Sequence, residues 1–143
     1  MSLFTVSILT ASTCDRFQYH GDAHITTDKR LEFAIQWFGG DYDLTQMGGL
    51  SVYRFDPPDE TWRISLDIHT ERCLKSGEQR REWIIEYGKL PDCFREDASA
   101  KPLEPGELYY LGKVSTNKDR AHSLFFKVDL CPDGRTYCGV KVQ

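Results

Sequence analysis

The feature that most constrains the fold is a strict alternation of apolar and polar side chains near the C-terminus. Within residues 123–130, one face would hold Leu124, Phe126, Val128 and Leu130, and the other Phe125, Lys127 and Asp129. Successive side chains of an extended strand point to opposite faces, so this period of two predicts a half-buried antiparallel strand. Residues 107–114 and 136–142 predict strands on either side of it. The segment Cys131-Pro-Asp-Gly-Arg135 has the proline and glycine of a tight turn.

Similar patterns predict strands earlier in the chain, at residues 4–9, 17–26, 50–55 and 62–68. The last two flank Asp56-Pro-Pro-Asp59, a strong turn signal, and therefore predict a hairpin. Residues 31–38 fit either a strand or a helix that ends at Gly39. Their β-branched and aromatic content favours the strand.

Three segments do not fit the strand pattern. Residues 76–88 begin with a capping-box pattern and end at Gly88, which predicts a short helix, although a strand would also group Trp83, Ile85 and Tyr87. Residues 39–49, bracketed by paired glycines, are predicted as a surface loop, and residues 89–106 as a long connection. The sequence therefore predicts a mainly β fold in one domain spanning residues 1–143. The expected architecture is an antiparallel β-sandwich or barrel of about eight strands with one short helix.

Charge and hydropathy exclude two classes of partner. The chain has 22 acidic and 18 basic residues in a mixed pattern, with a net charge of −4. A protein that binds the phosphates of nucleic acids needs a basic face, so no nucleic-acid partner is predicted. No apolar stretch is long enough to predict a transmembrane segment. Residues 4–9 lack the basic start of a signal peptide.

The five cysteines are Cys14, Cys73, Cys93, Cys131 and Cys138. None of their spacings matches a metal site, and an odd number cannot pair completely within one chain. Cys131 and Cys138 flank the last turn and are the best candidates for a disulfide. Buried, reduced cysteines are the preferred prediction, which favours a cytoplasmic over a secreted protein.

The segment His20-Gly-Asp-Ala-His24 offers the clearest metal-ligand pattern. On a strand, His20, Asp22 and His24 share one face, with neighbours two apart separated by roughly 6.6 Å. His20 with Asp22, or Asp22 with His24, could bind one divalent metal, with a third ligand from Asp67 or His69. Two histidines and one carboxylate are the ligands of many non-haem iron enzymes. A solvated polar face is the competing interpretation.

Two groups of residues are candidates for ligand binding. The predicted C-terminal strands hold Tyr109, Tyr110, Phe125 and Tyr137, and outward aromatics among them would form an adhesive face. Tyr109, Phe125 and Tyr137 are the predicted binding residues. Asp41 and Asp43 lie in the predicted loop. The preferred function is a non-enzymatic domain that binds an unknown protein or small-molecule ligand through this face or loop, without a cofactor. The alternative is a metal-binding barrel or metal-dependent enzyme that uses His20, Asp22 and His24 with His69.

Overall fold

The computed structural model describes residues 19–37, 39–67, 79–113 and 124–143. Nine strands lie within these ranges: β1 Tyr19–Ile25, β2 Leu31–Trp37, β3 Gly49–Arg54, β4 Asp59–Leu66, β5 Glu82–Glu86, β6 Phe94–Ala98, β7 Tyr109–Lys113, β8 Leu124–Leu130 and β9 Tyr137–Val142. One 3-10 helix, Leu44–Met47, precedes β3. The prediction of a mainly β chain is confirmed. Within the described ranges, no helix has the length and apolarity that a membrane span requires.

The strands form two antiparallel sheets. The small sheet has the order β1-β2-β5, and the large sheet the order β6-β4-β3-β7-β8-β9. The predicted β-sandwich, the hairpin of β3 and β4, and the C-terminal meander of β7, β8 and β9 are confirmed. Segment 31–37 is a strand, as preferred. The predicted strand at residues 4–9 lies outside the described ranges.

Two predictions for the middle of the chain are wrong. Residues 82–86, expected in a helix, form β5, which pairs with β2 along its whole length. The rest of that expected helix before Gln79 lies outside the described residues. The predicted long connection contains the edge strand β6. Its sequence, Phe-Arg-Glu-Asp-Ala, has three consecutive charged residues and therefore lacks the apolar–polar alternation that predicts a strand. Charged side chains on an edge strand discourage pairing with other chains.

The apolar faces of the two sheets pack against each other. Phe33 of β2 and Phe126 of β8 are fully buried, and their ring centroids lie 5.3 Å apart in an edge-to-face contact. Gly21 of β1 lies directly over β8, where a Cβ atom would be 3.3 Å from the Cβ of Leu124. The sheets therefore meet closely along β1 and β8, and each keeps one outer face.

The centre of the segment between Gly39 and Gly49 is buried, so the segment is not simply a surface loop. Tyr42 is 1 % exposed and Asp43 is 7 % exposed. The Tyr42 hydroxyl donates to the Ile35 carbonyl at 2.8 Å, its backbone pairs with Arg80, and Trp83 Nε1 donates to its carbonyl at 2.8 Å. These contacts tie the segment to β2 and β5. Its glycines mark bends in a packed segment.

The expectation of reduced cysteines is wrong for the three cysteines that the structure describes. Cys131 and Cys138 form a disulfide across the turn between β8 and β9, as their flanking positions suggested. Cys93 is also disulfide-bonded. The turn itself is well hydrogen-bonded, since Cys131 N–H donates to the Thr136 carbonyl and Gly134 N–H to the Cys131 carbonyl, both at 2.9 Å. Cys14 and Cys73 lie outside the described ranges.

Candidate binding surface

The outer face of the large sheet carries a group of aromatic side chains, here called the aromatic ridge: Tyr53, Phe55, Tyr110 and Phe125. Alternation along β3, β7 and β8 places the Tyr53, Tyr110 and Phe125 rings outside, because their strand neighbours point into the core: Val52, Leu111, Leu124 and Phe126. Phe55 is 52 % exposed, and the other three rings are partly exposed.

The ridge is a continuous row of ring contacts across three strands. Strand register sets Tyr53 opposite Tyr110, and Tyr110 opposite Phe125. The Tyr53 and Tyr110 rings are stacked with centroids 5.2 Å apart, and those of Tyr110 and Phe125 are 5.8 Å apart. Phe55 closes the row with an edge-to-face contact to Phe125 at 6.2 Å. Such distances are those of favourable aromatic pairs, so the ridge holds a defined shape.

A polar border, here called the polar margin, runs beside the ridge on β4 and β6: Glu60, Arg63, Ser65, Arg95 and Asp97. Asp97 accepts hydrogen bonds from Ser65 Oγ and from Arg95 Nε, the latter at 3.1 Å. The hydrogen bond from Ser65, and then Arg95, lowers the pKa of Asp97. The margin has two arginines and two carboxylates, so its formal charge is zero.

Arg63 is loosely held within this margin. Its Nε lies 3.6 Å from Glu60 Oε1 and 3.9 Å from Asp97 Oδ2. Both distances exceed those of a hydrogen bond. Its Nε makes no hydrogen bond to the part of the chain that the structure describes, and the side chain as a whole is 41 % exposed. Arg63 therefore retains donors for a further partner.

Among the residues that the structure describes, three buried polar atoms at the boundary of ridge and margin have no hydrogen-bond partner: Ser51 Oγ, Glu60 Oε2 and Arg63 Nε. Register explains why they meet, since Ser51 lies opposite Arg63, and Glu60 opposite Tyr53. Burial, and then the Glu60 carboxylate, raises the pKa of Tyr53, whereas Ser51 opposes the shift. Ser51 thus lies near this phenol, although its Oγ makes no hydrogen bond of good geometry. Unsatisfied polar atoms are rare in folded proteins and often mark a water or ligand position.

Of the three predicted aromatic binding residues, the structure places only Phe125 in the ridge. Tyr109 is 1 % exposed, so its assignment to an outward face is wrong. Its hydroxyl accepts a hydrogen bond from Glu104 N–H at 2.8 Å, and the half-buried Tyr137 hydroxyl accepts one from Leu103 N–H at 3.5 Å. Burial raises the pKa of both tyrosines. Both hydroxyls hold the segment before β7 against the core.

The predicted acidic pair is also separated by burial. Asp41 is exposed, whereas Asp43 is buried and has polar interactions of its own. The two carboxylates therefore do not present a shared surface.

The predicted metal ligands His20, Asp22 and His24 share the exposed outer face of β1, as the alternation indicated. His24 Nε2 lies 3.0 Å from Glu32 Oε1 on β2, and Asp22 Oδ1 accepts from Ala23 N–H. Across the described ranges, no three histidine, cysteine or carboxylate side chains are grouped as metal ligands would be. His69 lies outside those ranges, so the metal site remains a prediction.

An open cleft of about 530 Å³ lies at one end of the sandwich, lined in part by Tyr109. Its charged side chains already face one another. Arg54 is 3.5 Å from Glu104, and Lys101 is 3.2 Å from Asp59.

Sequence reasoning missed Tyr53 and Phe55 as ridge residues, and it considered Tyr110 without selecting it as a binding residue. The signal was present in part, because Tyr53 and Phe55 alternate with Leu50 and Val52 in a strand that was predicted. What the sequence did not reveal is that this strand lies beside β7. Comparison with known protein families, curated proteins and solved structures finds no match to this chain.

Proposed function

We propose that this protein is a non-enzymatic binding domain whose ligand lies across the aromatic ridge. The continuous row of four rings on the outer face of the large sheet carries this proposal. Contiguous apolar patches on a soluble domain mark interaction sites, and tyrosine and arginine are enriched at binding hot spots. The ridge is such a contiguous patch and includes two tyrosines, and Arg63 lies at its border.

The disulfides favour an oxidising compartment as the place where this binding occurs. Disulfides persist in oxidising compartments such as the cell exterior or the periplasm, and are rare in the reducing cytosol. The bond between Cys131 and Cys138 and the bonded state of Cys93 support an extracytoplasmic ligand. This replaces the sequence-based preference for a cytoplasmic protein.

Titrations of isotope-labelled protein followed by NMR test the proposal. The probes are a neutral oligosaccharide, a proline-rich peptide and a short oligothymidylate, each at millimolar concentration. At least one probe should shift the amide signals of β3, β7 and β8 most strongly, and Phe55→Ser should reduce these shifts. Ile84→Ser is the matched control, because Ile84 is 46 % exposed on the small sheet. Shifts confined to the cleft or the small sheet, or no shifts with any probe, would overturn the proposal.

A further inference from the structure

We infer that the ligand of the aromatic ridge is an oligosaccharide, an inference that rests on the proposed function. A sugar ring combines an apolar face of C–H groups with hydroxyl groups along its edge. The large sheet offers both complements side by side, with the ridge rings on β3, β7 and β8 and the polar margin on β4 and β6. Aromatic faces carry partial negative charge and attract the weakly positive C–H groups of a sugar.

The spacing within the margin suits hydroxyl groups. A hydroxyl donates one hydrogen bond and accepts two, so it can bridge a cation and a carboxylate that do not touch. Arg63 Nε lies 3.6 Å from one carboxylate oxygen of the margin and 3.9 Å from another. Both contacts are ion pairs too long for a hydrogen bond, so they leave room for a better hydrogen-bond partner on the guanidinium. Nε itself is buried, whereas the Arg63 side chain as a whole is 41 % exposed, so a sugar hydroxyl would accept from the exposed end of the guanidinium and donate to Glu60 or Asp97.

The charge balance of the margin separates this ligand from a nucleic acid. Single-stranded nucleic acids also stack on exposed aromatic rings, but their binding sites add a positively charged groove for the phosphates. Here Glu60 and Asp97 neutralise Arg63 and Arg95 beside the rings. The exposed cations Lys127 and Lys141 lie opposite each other on β8 and β9, away from this margin. Because these lysines could pair with carboxylate groups, the test also includes an acidic oligosaccharide.

Isothermal titration calorimetry distinguishes the ligand classes. The neutral probes are cello-, xylo-, malto- and chito-oligosaccharides, and the acidic probe is oligogalacturonate. A proline-rich peptide and oligothymidylate represent the two competing polymers. At least one oligosaccharide should bind, and Phe55→Ser and Tyr110→Ala should each weaken it by about tenfold, the loss of one good ring contact. Arg63→Gln should lower the affinity for a neutral sugar by a similar factor, since it removes the N–H donors of the guanidinium.

The controls keep folding and binding apart. Tyr110 contacts two neighbouring rings, so Tyr110→Ala can disturb the sheet. Phe55 lies beyond the end of β3 and makes one ring contact within the described ranges. Phe55→Ser therefore provides the cleaner test, and Ile84→Ser should leave the affinity unchanged.

If the peptide or oligothymidylate binds at the ridge and no sugar does, the oligosaccharide inference is wrong, whereas the proposed binding function is retained. Sugar binding that Phe55→Ser and Tyr110→Ala do not alter, or the absence of all binding, would overturn both. A preference for oligogalacturonate that Lys127→Ala removes would retain the oligosaccharide and place its recognition on the lysine side of the ridge.

Discussion

Replacing both cysteines of the turn, Cys131→Ala with Cys138→Ala, should lower the free energy of unfolding by a predictable amount. The two residues are seven positions apart, so the disulfide closes a short loop of the unfolded chain. The chain-entropy relation gives about 2.5 kcal/mol at 25 °C for a loop of about eight residues. In a domain of this length, such a loss lowers the melting temperature by about 5–10 °C.

Urea unfolding without and with a reductant tests this number. Without reductant, the double variant should unfold at lower urea than the wild type. With reductant, the wild type also loses the cross-link, and the difference should shrink to the small effect of replacing the side chains. A wild-type count of five free thiols under denaturing conditions would refute the reasoning, because two disulfides leave one. A difference that is unchanged by reductant would assign the loss to packing instead.

Three further predictions test the packing and the buried polar groups. Gly21→Ala crowds the opposing strand and should cost about 1–3 kcal/mol in thermal unfolding, whereas Gly139→Ala meets only an exposed, movable carboxylate and should cost less. Glu96→Ala removes the acceptor of the buried Trp62 Nε1, 3.0 Å away, and should cost about 1–3 kcal/mol, of which Glu96→Gln should restore most. Burial raises the pKa of Tyr87 well above its usual value, so the unfolded chain releases this proton first. Urea midpoints should therefore fall above a pH of about 10, and less steeply in Tyr87→Phe, where an unchanged slope would contradict the assignment.

Local alternation predicted the strands whose two faces differ in chemistry. Residues 31–37 and 124–130 each have an apolar face in the core and a more polar face outside, so a period of two identifies them. Strand β5 was mistaken for a helix because the local pattern around Trp83 fits both periods. Its pairing with β2, more than forty residues earlier in the chain, makes it a strand. A local sequence pattern does not contain this long-range contact. Strand β6 was missed because most of its side chains are charged.

Burial of single residues depended on the same long-range information. The adjacent Tyr109 and Tyr110 must point to opposite faces of β7, but nothing local says which points inward. Register answers the question, since Tyr109 lies opposite the buried Phe126, and Tyr110 opposite Phe125. Tyr42 was placed in a surface loop because the flanking glycines dominated the local pattern. Tyr42 is held by Arg80, which pairs with its backbone, and by Trp83 of β5. Both residues come from a distant part of the chain, so a local pattern does not reveal these contacts.

The ridge rings do not all carry the same weight as evidence for a ligand. Tyr53, Tyr110 and Phe125 are cross-strand neighbours, and such pairs stabilise a sheet by about 0.2–1 kcal/mol each, so the fold alone accounts for part of their presence. Phe55 lies past the end of β3 and is 52 % exposed, so it contributes little to stability while leaving apolar surface in water. A ring in that position extends the row without being needed by the sheet. We therefore expect Phe55 to be the residue at which an effect on binding separates most clearly from an effect on folding.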